Sequence, residues 1–231
     1  MYRHFGNSDH RNRVAELGDD RGFAQSGRLD ALVALECIGV RVRFSRNAEI
    51  YAEGDEADCW YKVVSGSVRV CKLLADGRRH IAEFCFSGDC FGLDSTARPC
   101  SAEAVDDVIV MRFQRRIAER LIDQNPAVAR LLRESVLRDL ATAHGRTLLL
   151  GRMTAPERVA AFLVEMFERR DRTKALDLPM PRNDVADYLG LTIETVCRTL
   201  SAFKREGVIA IPNPHRIELL DRDALEAIAE T

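Results

Sequence analysis

The sequence lacks the features of membrane-spanning and secreted proteins. No apolar run approaches the roughly 18 residues that a membrane-spanning helix needs, and no charged-then-apolar leader opens the chain. The seven cysteines do not follow the regular spacing of a disulfide framework, which is typical of a protein kept in a reducing compartment. We therefore expect a cytoplasmic protein with no membrane partner.

The sequence also lacks common catalytic motifs and any strong excess of charge. It has no phosphate-binding loop, no cluster of His, Cys and Asp at catalytic spacing and no paired acids in a predicted cleft, so we do not expect an enzyme. The formal net charge is −2, and residues 152–220 carry 11 Lys or Arg against 10 Asp or Glu. Any affinity for nucleic acid must therefore come from individually placed contacts and from two copies acting together.

Two short helices joined by a glycine turn are predicted for residues 182–206. Apolar residues recur at helical spacing on each side of Gly190, and Thr192 is placed to cap the second helix. This pattern is typical of a helix-turn-helix whose second helix enters the major groove of DNA. The apolar positions are Val185, Ala186 and Leu189 in the first helix and Val196, Leu200 and Phe203 in the second.

The polar face of the second predicted helix carries side chains suited to base edges. Glu194 and Arg198 lie one turn apart, and a carboxylate accepts from cytosine N4 whereas a guanidinium donates to guanine O6 and N7. Cys197 completes the expected base contacts. The alternative is an ordinary surface ion pair between Glu194 and Arg198 on a packing helix. Contacts to the DNA backbone are expected from Arg182, Thr192, Thr195, Ser201 and Lys204.

A predicted β-hairpin directly after the second helix favours the DNA-binding interpretation. Residues 207–210 and 216–220 are rich in Val, Ile and Leu, and a Pro-Asn-Pro turn at 212–214 separates them. Such a hairpin forms the wing of a winged helix. Upstream, a capping box at residues 154–157 predicts the start of another helix, so a hinge is expected at residues 151–153.

The N-terminal half shows a different pattern, with short apolar strands separated by turns. Ser65-Gly66, Asp76-Gly77 and Ser87-Gly88 punctuate the segment from residue 40 to 113, which indicates a small antiparallel barrel or roll. Residues 29–35 form a predicted short helix that leads into it. Residues 1–30 hold few large apolar side chains and are predicted to be a disordered extension.

These elements together resemble the CRP/FNR family of bacterial transcription regulators. The resemblance covers nearly the whole chain after residue 30. Residues 188–195 are especially similar to the FNR branch, within which the chain most resembles FixK-type regulators. The segments that carry the resemblance are residues 54–55, 64–68, 86–92, 125–126 and 194–198.

The resemblance implies an α+β fold in four parts. After the extension of residues 1–30, residues 31–124 are expected to form an antiparallel β-roll similar to cyclic-nucleotide-binding domains. Residues 125–151 are expected to form a long dimerisation helix. Residues 152–231 are expected to form the winged helix-turn-helix that binds DNA.

Departures from the family pattern bear on what the roll can bind. Cyclic-AMP-binding members have a glutamate after the glycine of the corresponding turn and later an Arg-Ser pair that holds the cyclic phosphate. Here Leu93 follows Gly92, and Cys100 precedes Ser101. Arg98 lies two residues upstream, either as a residual candidate for that cation or as a solvated loop charge. Because burying a phosphate without a cation is unfavourable, we predict no cyclic-nucleotide binding.

The sequence also lacks the cysteines that hold an iron–sulfur cluster in oxygen-sensing members of the family. Residues 1–36 contain no cysteine, and Met111 falls near the place of the fourth ligand, so we expect no cofactor and no metal. Alternatives are a metal site where scattered cysteines meet, or a haem site on His80 or His144. The scattered cysteines, which we interpret as small packed thiols, are Cys37, Cys59, Cys71, Cys85, Cys90 and Cys100.

A long helix with a heptad-like apolar stripe is predicted from residue 125 onward. A second stripe, including Leu131, Leu137 and Ala141, is placed to face the roll. The alternative to a parallel homodimer is one broad face buried within a monomer. By resemblance, the FNR residue at the position of Ala143 is acidic, so an alanine there permits a dimer without a cofactor. The predicted interface comprises Leu132, Val136, Leu140, Ala143, Thr147 and Leu150.

Cys197 stands where FNR-type reading helices have a serine. A thiol there can contact a thymine methyl group and bind DNA normally. The adjacent Arg198 and the nearby helix start favour the thiolate, which reacts with peroxide. Since a sulfinate adds bulk and a negative charge directed at phosphates, we hypothesise that oxidation of Cys197 switches binding off. The alternative is a replacement of serine without regulatory meaning.

The residues and the resemblance together predict a homodimeric, sequence-specific transcription regulator, chiefly an activator that works with RNA polymerase. It is expected to bind double-stranded DNA at an inverted repeat similar to TTGA…TCAA. By resemblance to FixK, its genes belong to low-oxygen respiration or nitrogen fixation. The alternative is an effector-gated sensor whose roll binds haem or a small molecule.

Overall fold

The structure is a computed structural model that describes residues 30–94, 96–169 and 174–230, without the side chains of residues 139, 142, 145–150 and 152. The predicted disordered extension therefore lies outside the described residues, apart from residue 30. The side chains of Thr147 and Leu150, predicted at the interface, also lie outside them.

The N-terminal half is a roll of two antiparallel four-stranded sheets, as predicted. A helix, α1 (residues 30–38), precedes it. One sheet has the strand order β1-β8-β3-β6 and the other β2-β7-β4-β5. The strands are β1 (Val40–Phe44), β2 (Glu49–Tyr51), β3 (Cys59–Ser65), β4 (Val68–Leu73), β5 (Arg79–Cys85), β6 (Cys90–Phe91), β7 (Ser101–Ala104) and β8 (Val108–Gln114).

The core of the roll follows from alternation along its strands. Val63 of β3 pairs with Val110 of β8, and both are fully buried because every second side chain of a strand points to the same face. Gly66 makes the β3–β4 turn at φ +83°, and a Cβ there would lie 2.5 Å from the Asp107 carbonyl oxygen. Only glycine fits this position without moving the backbone.

Three helices cover the outer face of the first sheet. The rings of Trp60 and Phe113 stack with centroids 4.1 Å apart, beneath α1, α2 (Arg115–Gln124) and α3 (Pro126–Arg152). The side chain of Asn125 caps α3 by accepting from the backbone N–H groups of Ala127 and Val128 at 3.1 and 3.3 Å. The start of α3 is thereby fixed to the roll.

The apolar residues of α3 that face the roll, and those that are exposed, differ from the ones predicted. Leu132, predicted at the dimer interface, is buried in the core between α3 and the roll, because the first two turns of α3 lie on the sheet. Leu137 and Ala141, predicted to face the roll, are exposed, because α3 extends beyond the roll at that point. The exposed apolar stripe comprises Val136, Leu137 and Leu140.

The C-terminal part has three further strands and four helices. Its sheet has the order β10-β11-β9, so the predicted two-stranded wing gains a third strand. One hydrogen bond of the predicted capping box is present, since the Thr154 backbone N–H donates to Glu157 Oε2 at 2.8 Å. The elements are α4 (Ala155–Arg169), β9 (Ala175–Asp177), α5 (Arg182–Leu189), α6 (Ile193–Arg205), β10 (Ile209–Asn213), β11 (Arg216–Leu219) and α7 (Arg222–Ala229).

Three elements of the whole chain, α2, β9 and α7, were not predicted from the sequence. Asp221, whose side chain accepts from the Ala224 backbone N–H at 2.9 Å, is the cap that marks the start of α7. Within the described part of the chain, no helix is both long and apolar enough to span a membrane.

Candidate nucleic-acid interface

The helix-turn-helix is built by local backbone chemistry, as the sequence predicts. Gly190 ends α5 in the left-handed conformation at φ 62°, and its N–H donates to the Ala186 carbonyl. Two residues later, the Thr192 side chain accepts from the Thr195 backbone N–H at 3.3 Å and so caps α6. The turn between the helices is therefore fixed by a glycine and a cap only two residues apart.

One face of α6 packs into the domain and the opposite face is uncovered. Val196, Leu200 and Phe203 are buried against the neighbouring helices, as predicted. The structure also places the four polar side chains predicted on the reading face together on the exposed side. These residues are Glu194, Cys197, Arg198 and Ser201.

The two charged side chains on the exposed face of α6, Glu194 and Arg198, are not paired with each other. Glu194 and Arg198 form no ion pair within 4.0 Å of each other, although the Arg198 charge is among the influences that lower the pKa of Glu194. The main causes of that lowering are the backbone N–H of Glu194 itself and the Thr192 hydroxyl. Glu194 is therefore an ionised acceptor, and the ordinary ion pair considered for this helix is not formed.

The hydroxyl groups predicted to contact the DNA backbone have local partners. Ser201 Oγ donates to the Cys197 carbonyl at 2.8 Å, and the Thr192 and Thr195 hydroxyl oxygens lie 3.1 Å apart. Each hydroxyl keeps further hydrogen-bonding capacity. Lys204 is exposed near the C-terminal end of α6.

Arg182 links the first helix to the wing. Its guanidinium Nη2 donates to the Pro214 carbonyl at 3.0 Å. Burial lowers the pKa of Arg182, and the nearby Cys197 opposes that effect. Arg182 was predicted to contact a phosphate, and the structure shows that one of its donors holds the wing turn in place.

A second contact of α5, which the sequence did not indicate, joins it to the roll. Asp184 is only 2% exposed and accepts from Arg69 Nη1 at 2.9 Å and from Arg79 Nη2. Arg79 also donates to Asp187 at 2.8 Å, and Arg69 also donates to Glu103. Burial disfavours the charged form of Arg79, but its bonds to Asp187 and Asp184 outweigh this and raise its pKa.

The roll contains a cavity of about 280 Å³ beside the turn at Gly92 and Leu93. Tyr51, Glu83, Gly92, Asp94 and Cys100 are among the residues that line it. Two of these side chains are carboxylic acids, and among the described residues no lysine or arginine lines the cavity.

Arg98 is buried inside the roll, so its interpretation as a solvated loop charge is wrong. Its guanidinium donates to the carbonyls of Gly92, at 2.6 Å, and Cys59, and it lies 4.2 Å from the centroid of the Tyr51 ring. Asp94 accepts from it at 3.3 Å. The side chain thus binds parts of its own roll.

The cysteines divide into buried and accessible thiols. Cys59, Cys71, Cys85 and Cys90 are buried, and burial raises the pKa of Cys71 to about 11. A thiol with a raised pKa reacts poorly with peroxide because the thiolate is disfavoured. Cys37 and Cys197 are exposed. Among the residues that the structure describes, no three His, Cys, Asp or Glu side chains gather into a metal-binding group.

A β-roll, a long helix and a winged helix with an uncovered polar reading helix define a DNA-binding transcription regulator. Residues 157–228 match the Crp-like helix-turn-helix domain, and residues 41–125 match the cyclic nucleotide-binding domain. The chain belongs to the CRP/FNR family.

Its relatives include named regulators. The nitrogen fixation regulation protein FixK of Azorhizobium caulinodans is 40% identical over 223 residues, with 94% of this chain and 89% of that protein covered. The transcriptional activatory protein AadR of Rhodopseudomonas palustris is 38% identical, with 90% of each chain covered. The structure of FixK2 from Bradyrhizobium japonicum is similar with a TM-score of 0.79 and 40% identity, covering 83% of this chain and 97% of that one.

Proposed function

We propose that this regulator is a homodimeric activator that reads an inverted repeat similar to TTGA…TCAA and acts with RNA polymerase in the cytoplasm. The observation that carries the proposal is the uncovered reading face of α6, on which Glu194 and Arg198 are unpaired with each other. Each half-site contains one G·C pair, which offers guanine O6 and N7 to Arg198 and cytosine N4 to Glu194.

The proposed genes are those of low-oxygen respiration or nitrogen fixation. The support is the 40% identity to a nitrogen fixation regulation protein, together with a similar transcriptional activatory protein. The supports for a homodimer are the exposed apolar stripe of Val136, Leu137 and Leu140 on α3 and the two-fold symmetry of an inverted repeat.

The primary test is fluorescence anisotropy of the reduced protein on a TTGA…TCAA duplex and on a scrambled duplex of the same composition. We expect selective binding without any added ligand. Equal affinity for the two duplexes would contradict the proposed target. Selective binding that requires a reconstituted cofactor would contradict the ligand-free part of the proposal.

Cyclic nucleotides are not expected to regulate this protein. The described residues that line the cavity of the roll include Glu83 and Asp94 and no lysine or arginine, so a cyclic phosphate would be placed beside carboxylates. Arg98, the nearby cation, is occupied by carbonyl groups and by Asp94. Saturating cyclic AMP should leave the anisotropy titration unchanged. A shift of the binding curve on addition of cyclic AMP would show that Arg98 can turn toward a ligand.

The cavity is also the observation that favours a second candidate function, an effector-gated sensor. Its volume of about 280 Å³ admits a small uncharged molecule beside Tyr51. In that case, DNA binding would be weak in the purified protein and would be restored by a small-molecule extract.

Oxidation of Cys197 is proposed to switch DNA binding off. Its thiol is exposed on the reading face beside Arg198, and Arg182 lies close enough to interact with it electrostatically. We expect peroxide to abolish selective binding by the wild-type protein and dithiothreitol to restore it at the sulfenic acid stage. A Cys197→Ser variant should keep its affinity and resist peroxide.

The matched control for this prediction is Cys37→Ser, which removes the other exposed thiol from α1, far along the chain from the reading helix. This variant should remain as sensitive to peroxide as the wild-type protein. Peroxide sensitivity that persists in Cys197→Ser would end the proposed switch and would leave the cysteine as a simple replacement for serine.

A further inference from the structure

The contact between α5 and the roll brings together four charged side chains, of which Arg69 and Asp184 are buried and Arg79 and Asp187 are partly exposed. The Asp184 carboxylate accepts from Arg69 of β4 and Arg79 of β5, which lie 115 and 105 residues away in the chain. Arg79 also holds Asp187, one turn further along α5. We name these four residues the roll–helix clamp. It is a direct link between the roll and the helix-turn-helix.

Local chemistry leaves Asp184 available for this contact. An acidic residue at the third position of a helix commonly caps the backbone N–H of the residue that precedes the helix. In α5 that residue is Pro181, which has no N–H. The Asp184 carboxylate is thus not needed at its own helix end, and both of its oxygens accept from the roll.

Aromatic packing accompanies the charges. The ring of Tyr188 of α5 lies 5.0 Å from Phe84 of β5 and 5.6 Å from Phe162 of α4, measured between centroids. Buried ion pairs tolerate little displacement, because a separated partner is left as an unpaired charge. The clamp therefore gives the contact one preferred geometry, whereas the aromatic rings supply apolar area.

The covalent connection alone does not fix the orientation of the DNA-binding domain. The helix α3 ends at Arg152 and α4 begins at Ala155, so two non-helical residues separate them. The roll, in contrast, is packed onto the first turns of α3 through Val128 and Leu132. A path of packed elements therefore runs from α3 through the roll and the clamp to α5 and α6.

We propose that Arg69, Arg79, Asp184 and Asp187 are positioning residues that set the distance between the two reading helices of the dimer in the absence of an effector. This inference rests on the proposed function. Binding to the second half-site is then intramolecular, with an effective concentration that depends on how well the spacing of the reading helices matches the DNA. When the clamp is loosened, the reading helices fit the native half-site spacing less well. The dimer then discriminates less against repeats with other spacings.

The test compares Arg79→Gln and Asp184→Asn with the wild-type protein on three duplexes, which carry a single half-site, the inverted repeat and the repeat with two base pairs inserted. Arg79→Gln places the substitution in the roll and leaves Asp184 paired with Arg69, and in Asp184→Asn the buried Arg69 keeps Glu103. We expect unchanged affinity for the half-site and a roughly tenfold smaller preference for the native spacing over the lengthened one.

The matched control is Asp76→Asn, which removes an exposed carboxylate whose partner, Arg78, lies in the same hairpin of the roll. It should retain the wild-type spacing preference. Clamp variants that keep this preference would overturn the proposal, and so would variants that lose half-site affinity in parallel, since that result indicates a merely structural role.

Hydrogen exchange of the DNA-free protein separates this inference from the proposed function. The amides of α5 should exchange faster in Arg79→Gln than in the wild-type protein, while those of the α6 core stay protected. Unchanged exchange of α5 would overturn the clamp. A wild-type protein that shows no preference for the inverted repeat would instead overturn the proposed target, and the exchange result would still decide whether the clamp holds α5.

Discussion

Replacing Arg198 with alanine is expected to cause the largest loss of DNA affinity of any single substitution on the reading helix. Arg198 is exposed on α6 and forms no ion pair with Glu194, so it can donate two hydrogen bonds to guanine. Each such contact contributes about 1–3 kcal/mol, and a dimer makes two. We therefore expect affinity for the inverted repeat to fall by about 30-fold to 10⁴-fold.

The loss should be specific for sequence. In Arg198→Ala, the preference for guanine at the contacted position should disappear, which titrations on duplexes with each of the four base pairs there will measure. Lys204→Ala provides the contrast, because loss of a phosphate contact weakens binding to all duplexes alike and reduces the salt dependence.

Arg222→Ala is the matched control within the same domain, since this arginine lies on α7 and pairs with Glu226 at 2.6 Å. It should bind as the wild-type protein does. A variant Arg198→Ala that retains full affinity and full discrimination of guanine would show that α6 does not read bases through this side chain.

Placing a charge on the exposed stripe of α3 is expected to cause a comparable loss of DNA affinity, in this case by separating the dimer into monomers. Leu140 is 47% exposed, so Leu140→Glu should not disturb the fold of the protomer. In a parallel dimer, two glutamates would face each other across the symmetric seam and repel. We expect a folded monomer in sedimentation, with affinity for the inverted repeat reduced by about 100-fold or more.

The control for this prediction is Val40→Glu, which places the same charge on another exposed apolar residue, 54% exposed at the start of β1 in the roll. It should remain dimeric and bind normally. A dimer of wild-type stability in Leu140→Glu would mean that the stripe of Val136, Leu137 and Leu140 does not form the interface. A monomer that retained full affinity for the repeat would contradict the dependence of binding on the dimer.

The helix-turn-helix was predictable because its signals are local. Gly190 provides the left-handed end of α5, Thr192 caps α6 two residues later, and the apolar spacing of α6 fixes which face is buried. Each depends on neighbours within about one helical turn. The strands of the roll were predictable for the same reason, since glycine turns and alternation are properties of short segments.

The third strand of the wing and the helix α7 escaped prediction for opposite reasons. The three residues of β9 carry almost no local signal, and they become a strand only because they pair with β11, some 40 residues later. The cap of α7 at Asp221 was a usable local signal, as was the amphipathic pattern that follows it.

The sequence by itself determined the family, the order of most elements and the polar face of the reading helix, because these depend on spacing along the chain. Only the tertiary structure decided that Arg98 is buried in the roll, that Leu132 packs inside the protomer and that Asp184 joins α5 to two roll arginines. These contacts connect residues as many as 115 positions apart. No local pattern specifies them, because a charged residue on a loop or a strand becomes buried only when distant segments supply its partners.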